Sequence, residues 1–299
     1  MTTRTVLVLG AYGEAGAAIV RELCATNAFD VIGAGRSREK LSALARGGEA
    51  LRTLQLDITD QHALVRAVGD AELVINCVGP FISAGAQVAQ AAREAGAACF
   101  DIASEQEHYR RLRALDAGPG QDRGLILTGV GAYPGLSGIL LKSLLSRFPD
   151  SESAEMAIIT GPHAAPSAGG AQSVSGVVEL AFELSDLRGG RLHRLRPGRR
   201  RRLEFPAPFG ARAVLTWPQL EVLAAAEAAG LCGEALGRGG APARGGRCPD
   251  GRPRCGGGPR GASRAACIDN IPADGGLKAV GLRAWLSSHN KRSQHMVRV

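Results

Sequence analysis

The sequence predicts an α/β protein: a doubly wound parallel (Rossmann) sheet, a smaller α+β domain after it, and an irregular C-terminal tail. Two observations predict the sheet. Six short apolar runs alternate with helical patterns over about 130 residues, and the first run opens into Gly10-x-x-Gly13-x-x-Gly16. Strands and helices that alternate in this way are typical of parallel sheets. A third observation, the loss of apolar periodicity beyond Ala229, separates the tail.

The first strand and the glycines after it predict a dinucleotide site. Val6–Leu9 is a short, uncharged apolar run of the kind that forms a strand buried on both faces. Gly10 suits a tight turn, Gly13 the close approach of a pyrophosphate, and Gly16 close packing of a helix on the strand. The helix predicted over Glu14–Ala25 would direct its free N–H groups and positive dipole end at the phosphates.

The later elements follow in order and bring polar residues to the carboxyl ends of the strands. The fourth strand runs into Gly79-Pro80, at the sheet edge where ligands of open α/β sheets bind. Predicted strands cover Phe29–Ala34, Ala50–Leu56, the run from Glu72, Ala97–Ile102 and Gly124–Thr128, and predicted helices cover Arg38–Ala45, Gln61–Val68 and Ala84–Ala95.

The end of the second strand favours NADP(H) over NAD(H). An NAD site has an acidic residue here to bind the ribose hydroxyls, whereas this chain has Arg36 and Ser37. A guanidinium can grip a 2′-phosphate bidentately and stack on the adenine; the alternative is a solvated loop arginine. Asp57, at the end of the third strand, is a candidate to bind the adenine amino group. Its alternative is a helix cap, a role that fits Asp60 better.

Five ordered motifs resemble the saccharopine dehydrogenase family over residues 1 to about 210: Gly10–Gly16, Asp57–Asp60, Asn76–Phe81, Asp101–Glu105 and Tyr133–Ser137. The resemblance implies an NADP-binding Rossmann domain before an α+β substrate domain, with Gly79-Pro80 and Pro134–Leu136 near the nicotinamide. The candidate cofactor-binding residues are Gly10, Tyr12, Gly13, Glu14, Ala15, Gly16, Arg36, Ser37, Asp57, Ile58, Cys77, Val78, Gly79 and Pro80.

The catalytic group is less clear from sequence. None of the three tyrosines has a lysine four residues later, so the Tyr-x-x-x-Lys mechanism of short-chain reductases is not expected. The candidates for a general acid are Asp101, Glu105 and Tyr133, with Ser137 and His163 considered beside them. The alternative for Asp101 and Glu105 is a strand-end acid and an acid in the first turn of a helix. His62 and His108 are expected at the surface, and Cys77 as a backbone contact of the cofactor.

Charge and cysteine usage restrict the partners. The net charge of +8 lies entirely in residues 230–299, and the arginines of Arg188–Arg202 suit a solvated hairpin, so no nucleic acid is expected. No apolar run is long enough to span a membrane, and the N-terminus shows no signal peptide, which predicts a cytoplasmic protein. The tail cysteines contain no C-x-x-C pair, so no metal site is expected. A small-molecule substrate is expected, and a homodimer is left open.

The predicted domains are 1–135 (NAD(P)-binding), 136–229 (a partial substrate domain) and 230–299 (a Gly/Arg-rich tail). Two interpretations of the tail stay open, an out-of-frame end and a genuine disordered basic segment, and only Ala279–Leu286 has a helical pattern within it. The leading functional hypothesis is an NADP(H)-dependent oxidoreductase acting on an imine or secondary amine, an enoyl group or a keto group. The alternatives are a protein that binds NADP(H) without turnover and an NADP-binding regulator or isomerase.

Overall fold

The computed structural model of the chain describes residues 4–47, 50–115, 124–147, 153–157, 159–160, 185–188, 191–194, 198–205, 209–217, 219–228, 266–268 and 280–287. The chain divides into two compact units. The first comprises Met1–Leu136 with Ala165–Ala181, and the second Ser137–Ala164 with Phe182–Val299. The predicted domain boundaries at 135 and 229 stay predictions.

A parallel sheet organises the first unit and confirms the predicted doubly wound fold. In the described residues its strands lie in the order β3-β2-β1-β4-β5-β6, with β1 at the point where the order reverses. The strands are β1 (Arg4–Leu9), β2 (Phe29–Gly35), β3 (Leu51–Gln55), β4 (Leu73–Asn76), β5 (Ala98–Asp101) and β6 (Ile126–Leu127). The helices are α1 (Glu14–Ala25), α2 (Arg38–Ala45), α3 (Gln61–Gly69), α4 (Phe81–Ala95) and α5 (Gln106–Leu115).

Helices cover both faces of the sheet, which explains why β1 carries apolar residues without alternation. Val6 and Val8 pack in a cluster with Val20 of α1 and Leu41 of α2. Leu7 and Leu9, on the opposite face, pack with residues of α3, α4 and α5, among them Leu64, Val88 and Leu112. Because successive strand residues point to opposite faces, a strand buried on both faces must be continuously apolar.

The predicted elements of the first unit match the structure closely, with two differences at the carboxyl edge. Helix α1 and helix α2 have the predicted bounds. Helix α4 begins at Phe81, three residues before the predicted start at Ala84, because a buried carboxylate binds its first amide. Strand β6 contains only Ile126–Leu127, shorter than predicted.

The second unit contains helices and antiparallel strands. Helix α6 (Leu136–Arg147) leads into it, and helix α7 covers Leu220–Ala228. Strands β9 (Ser185–Arg188) and β10 (Arg191–Arg194) pair antiparallel, as do β11 (Arg200–Phe205) and β12 (Gly210–Leu215). The arginine-rich segment predicted as a solvated hairpin thus contributes strands to two antiparallel pairs, β9–β10 and β11–β12. The apolar stripe of residues 170–187 predicts a helix. Residues 170–184 lie outside the described residues, and Ser185–Leu187 belong to a strand, so the end of that prediction is wrong.

Part of the C-terminal region also forms strands. Strand β14 (Val280–Ser287) pairs antiparallel with β13 (Ala266–Ile268), with β7 (Ser153–Met156) and with β8 (Ile159–Thr160). The expectation of a helix over 279–286 is wrong, since Val280, Leu282, Ala284 and Leu286 alternate with other residues at the period of a strand.

Candidate cofactor and active site

The glycine turn between β1 and α1 has a geometry that only glycine permits at two positions. Gly10 has φ +75°, and the N–H groups of Gly10 and Ala11 both donate to the Ala34 carbonyl at the end of β2, at 2.9 and 3.1 Å. A Cβ added at Gly16 would lie 2.2 Å from the Gly10 carbonyl oxygen. The helix can approach the turn this closely only because residue 16 has no side chain.

The N-terminus of α1 is open for an anion. Gly13 is the N-cap residue, and no side chain caps the helix. Glu14 is exposed in the first turn, and Ala15 is half-buried. The first N–H groups of a helix have no partners inside it, so an uncapped N-terminus beside a glycine turn fits the pyrophosphate of a dinucleotide. The residues present therefore fit the cofactor that the sequence predicts.

The loop after β2 is held by contacts from three neighbours. The amide of Ser37 donates to the Tyr12 hydroxyl oxygen at 3.3 Å, and the Ser37 hydroxyl caps α2 by accepting the Lys40 amide at 3.2 Å. The carbonyl of Arg36 accepts from the Gln55 side-chain amide at 3.1 Å. These contacts leave the Arg36 side chain exposed at the end of the strand.

Asp57 lies at the end of β3 as predicted, exposed to solvent. Its Oδ1 accepts from the amide and the hydroxyl of Thr59, at 3.0 and 2.8 Å. The two hydrogen bonds from Thr59 lower the pKa of Asp57, and the charge of Arg36 adds to this effect. Ile58 packs against the apolar core below it. Asp60 caps α3, as the sequence suggested, by accepting the Ala63 amide at 3.0 Å.

The end of β4 lies directly beside the glycine turn. The Cys77 amide donates to Leu9 at 3.0 Å, and the Cys77 carbonyl oxygen would be 3.1 Å from a Cβ added at Gly10. The amide of Val78 donates to the buried Asn76 side chain at 3.0 Å, and a cis peptide joins Gly79 to Pro80. Burial, with the charge of Asp101, raises the pKa of the Cys77 thiol to about 12. A thiol that is neutral at physiological pH is a poor nucleophile, which agrees with a backbone role for this residue.

Asp101 is buried at the end of β5 and ties together three segments. Its Oδ1 accepts from the Ala103 amide, the Thr128 hydroxyl and the Gly129 amide, at 3.0, 2.7 and 3.2 Å. Its Oδ2 lies 2.8 Å from His108 Nε2. Burial alone would raise the pKa of Asp101, but the hydrogen bond and charge of His108, with the Thr128 hydroxyl and the Ala103 amide, lower it.

Glu105 is also buried, and it caps helix α4 rather than its own helix. Its Oε1 accepts from the Phe81 amide at 3.3 Å, and its Oε2 from the Ser104 amide at 2.9 Å. Both carboxylates predicted as general acids therefore have structural partners at every oxygen. These hydrogen bonds agree with the structural alternative for Asp101 and Glu105, in which the carboxylates accept from nearby donors.

The expectation that His108 is a surface residue is wrong. Its side chain is fully buried against Phe81 and Gly85, where a Cβ added at residue 85 would be 2.5 Å from the imidazole Cε1. Because an ionised carboxylate only accepts, Nε2 carries the proton of the bond to Asp101, and Nδ1 has no partner among the described residues. A signal existed in the sequence, because a buried strand-end acid needs a partner. His62 is exposed, as expected.

Of the three predicted general acids, Tyr133 is the exposed one, with 40% of its surface accessible. It lies in a tight loop in which the Gly131 amide donates to Pro134 and the Leu136 amide donates to Gly131, at 3.1 and 3.0 Å. A cis peptide joins Tyr133 to Pro134, and Gly135 has φ +111°. The loop thus presents the Tyr133 side chain outward.

Ser137 belongs to the second unit, where its buried hydroxyl donates to Glu221 of α7. Burial raises the pKa of Glu221, partly offset by this hydrogen bond. Sequence reasoning missed Glu221, since 84 positions separate it from Ser137. His163 lies outside the described residues. The described part of the chain holds no cluster of three or more possible metal ligands, and no helix in it is long and apolar enough to cross a membrane.

Comparison with known proteins decides the family of the first domain. A family profile described as the saccharopine dehydrogenase NADP binding domain matches residues 6–119, which include the glycine turn, Arg36, Asp57 and Asp101. Residues 6–119, which make up less than half of the chain, are thus similar to the NADP-binding domain of the saccharopine dehydrogenase family. The match confirms the predicted resemblance and gives NADP(H) as the cofactor of the domain.

Relatives of this chain include proteins named as oxidoreductases. The human saccharopine dehydrogenase-like oxidoreductase is 32% identical over 110 residues, which cover 33% of this chain and 26% of that protein. The chain thus matches about a quarter of the length of this curated relative. A solved saccharopine dehydrogenase (L-glutamate forming) from Saccharomyces cerevisiae is 20% identical, with a TM-score of 0.45, over 64% of this chain and 43% of that one.

Two further relatives of this chain contradict the cytoplasmic prediction. A lipid droplet localized protein of Caenorhabditis elegans is 29% identical over 136 residues, 42% of this chain and 32% of that protein. A probable mitochondrial saccharopine dehydrogenase-like oxidoreductase of Arabidopsis thaliana is 27% identical over 150 residues, 48% of this chain and 33% of that protein. The prediction failed because the lack of a recognisable targeting pattern in a sequence does not identify a compartment.

Proposed function

We propose that the protein is an NADP(H)-dependent oxidoreductase that transfers a hydride to or from a small molecule carrying an imine or secondary amine, an enoyl group or a keto group. The observation that carries the proposal is the uncapped N-terminus of α1 behind a turn that requires Gly16, in a domain of an NADP-binding family. NADP(H), when bound, supplies or accepts the hydride.

In this proposal the residues of the chain bind NADP(H) and orient it at the carboxyl edge of the sheet. The glycine turn and the α1 amides hold the pyrophosphate, Arg36 and Ser37 hold the 2′-phosphate, and Asp57 lies toward the adenine. The backbone from Cys77 to Pro80 borders the nicotinamide half. Asp101 and Glu105 fix the loops at this edge of the sheet through their hydrogen bonds.

The proton of the reaction is assigned to Tyr133 in the proposal. Its phenol is exposed, whereas the carboxylates of Asp101 and Glu105 are buried and engaged. A phenol hydroxyl can donate a proton to the atom next to the carbon that gains the hydride, which is the nitrogen of an imine, the oxygen of a ketone or the α-carbon of an enoyl group. Tyr133→Phe removes only the hydroxyl and should lower kcat about a hundredfold with NADPH binding unchanged.

The test of the proposal has two stages. Titration of the purified chain with NADPH, followed by the cofactor's fluorescence, measures binding. Oxidation of NADPH is then followed by absorbance with one substrate of each class: an imine formed from a keto acid and an amine, an enoyl thioester, and a ketone. Saturable binding with turnover of one class supports the proposal, and an absence of binding contradicts it.

A second candidate is a protein that binds NADP(H) without turnover. The engagement of both carboxylates favours it, because only Tyr133 of the three predicted acids is exposed. Saturable binding of NADPH with no oxidation in any of the three substrate classes would support this candidate over the oxidoreductase.

A further inference from the structure

Tyr12 connects the glycine turn to the loop after β2. Its ring lies against Gly35, where an added Cβ would be 2.4 Å from the ring carbon Cε1. Its hydroxyl oxygen accepts the Ser37 amide at 3.3 Å, and the Lys40 ammonium lies 5.5 Å from the centre of its ring. The ring edge thus lies against Gly35 and the hydroxyl against the Ser37 amide, on either side of Arg36 in the sequence.

The Tyr12 hydroxyl keeps a proton to donate. A phenol hydroxyl is a donor as well as an acceptor, and the bond from Ser37 uses only its oxygen. Among the described residues, no acceptor lies within hydrogen-bonding distance of its proton. Tyr12 is half-buried and joins the glycine turn to the loop after β2, within the residues that match the NADP-binding domain.

The polar groups that contact Tyr12 within the described residues are donors, the Ser37 amide and the Lys40 ammonium, and two arginines lie in the same segment of the chain. Arg36, Arg38 and Lys40 are exposed, and within the described part of the chain none of them forms an ion pair with a carboxylate. A ribose 2′-hydroxyl needs an acceptor for its own proton, which an acidic residue supplies in NAD sites. A 2′-phosphate has no such need, since its oxygens accept from donors only.

We propose that the Tyr12 hydroxyl recognises the ribose 2′-phosphate of NADP(H), donating its proton to a phosphate oxygen while its own oxygen accepts the Ser37 amide. Tyr12 thereby discriminates NADP(H) from NAD(H) together with Arg36. The inference rests on NADP(H) binding at the glycine turn, and it goes beyond it by assigning a specificity role to a residue of that turn.

Tyr12→Phe tests the role, because phenylalanine keeps the ring against Gly35 and removes only the hydroxyl. The full chain is titrated with NADPH and with NADH by fluorescence, and NADPH is displaced by 2′,5′-ADP or by ADP. Loss of a hydrogen bond to a charged group predicts that the dissociation constants of NADPH and 2′,5′-ADP rise about tenfold. Those of NADH and ADP should change by less than about twofold.

Tyr109→Phe is the matched control, since it removes a phenol hydroxyl from α5, on the opposite edge of the sheet. It should leave all four constants unchanged. Equal weakening of NADPH and NADH by Tyr12→Phe would overturn the inference and leave the hydroxyl only an anchor of the loop. Unchanged NADPH binding in that variant would overturn it too. If the wild-type chain does not bind NADPH, the proposed function itself fails. If the wild-type chain binds NADPH and Tyr12→Phe does not change its preference over NADH, only the inference about Tyr12 fails.

Discussion

Asp101 is the residue at which the polar contacts of the carboxyl edge converge. Its four hydrogen bonds join β5 to the loop at Ala103, to Thr128 and Gly129 after β6, and to His108 of α5. Glu105 extends this group to the first amide of α4. The group holds three connections in place around the predicted nicotinamide site, which assigns these acids a positioning role.

Asp101→Asn should lower the free energy of unfolding by about 2–4 kcal/mol, because an amide cannot accept the His108 proton at one side and three donors at the other without leaving a buried group unpaired. Urea unfolding measures the change. Asp30→Asn is the control: Asp30 pairs with exposed Arg52 at the surface, so its loss should cost less than about 1 kcal/mol. Equal effects of the two substitutions would contradict the positioning role.

Arg36→Ala should raise the dissociation constant of NADPH about tenfold or more and change that of NADH little, because only NADPH carries the phosphate that the guanidinium grips. Fluorescence titration with both cofactors gives the ratio. Arg46→Ala, an exposed arginine at the other end of α2, should leave both constants unchanged. A ratio that Arg36→Ala does not alter would remove the basis for NADP(H) preference at this loop.

Sequence reasoning performs best for residues whose role is local. The helix bounds of α1 and α2 and the cap at Asp60 follow from patterns within a few positions. His108 and Glu221 were missed because their burial depends on distant contacts: Gly85 for the imidazole, Ser137 for the carboxyl. No periodicity within either helix carries that information.

At the scale of elements, the contact between α1 and the turn after β1 determines the phosphate site. The helix approaches so closely that its third residue must be glycine, and its N-terminus has no side-chain cap. The proposed anion site therefore depends on two features: the turn after β1, which lets α1 approach closely, and the free N–H groups and dipole of α1.

Gly16→Ala should abolish measurable NADPH binding and lower the free energy of unfolding by about 2 kcal/mol, since its Cβ would force the helix away from the Gly10 carbonyl. Gly69→Ala in α3 provides the control, because no atom lies within 4 Å of a Cβ added there. That variant should bind NADPH normally and unfold at the same or slightly higher urea concentration. Normal NADPH binding by Gly16→Ala would show that the close packing is not required.

At the scale of the whole molecule, the parallel sheet was predictable and the second unit was less so. The apolar runs of the first unit are buried on both faces and therefore distinct in sequence. The second unit has short antiparallel strands: β9 and β10 pair locally and contain arginine, whereas β7 and β14 pair across a long stretch of chain. Such pairings leave a weak local signal, and the helix predicted over 279–286 failed for that reason.

The free energy of unfolding should depend on pH in the acid range, in part because of Asp101. Its pKa is lowered in the folded chain, so its stabilising contribution is present above its ordinary value of about 3.8 and is lost as the pH falls below that value toward the folded pKa. The difference in unfolding free energy between wild type and Asp101→Asn, measured by urea unfolding, should therefore be smaller at about pH 3 than at about pH 6. A difference that stays constant would contradict an ionised, stabilising Asp101.

The central claim, that the first domain is a working NADP(H) site, is tested most directly by titrating the purified full chain with NADPH and recording cofactor fluorescence. The account predicts saturable binding to one site per chain, tighter for NADPH than for NADH. An absence of saturable NADPH binding by the folded protein, or tighter binding of NADH, would contradict it.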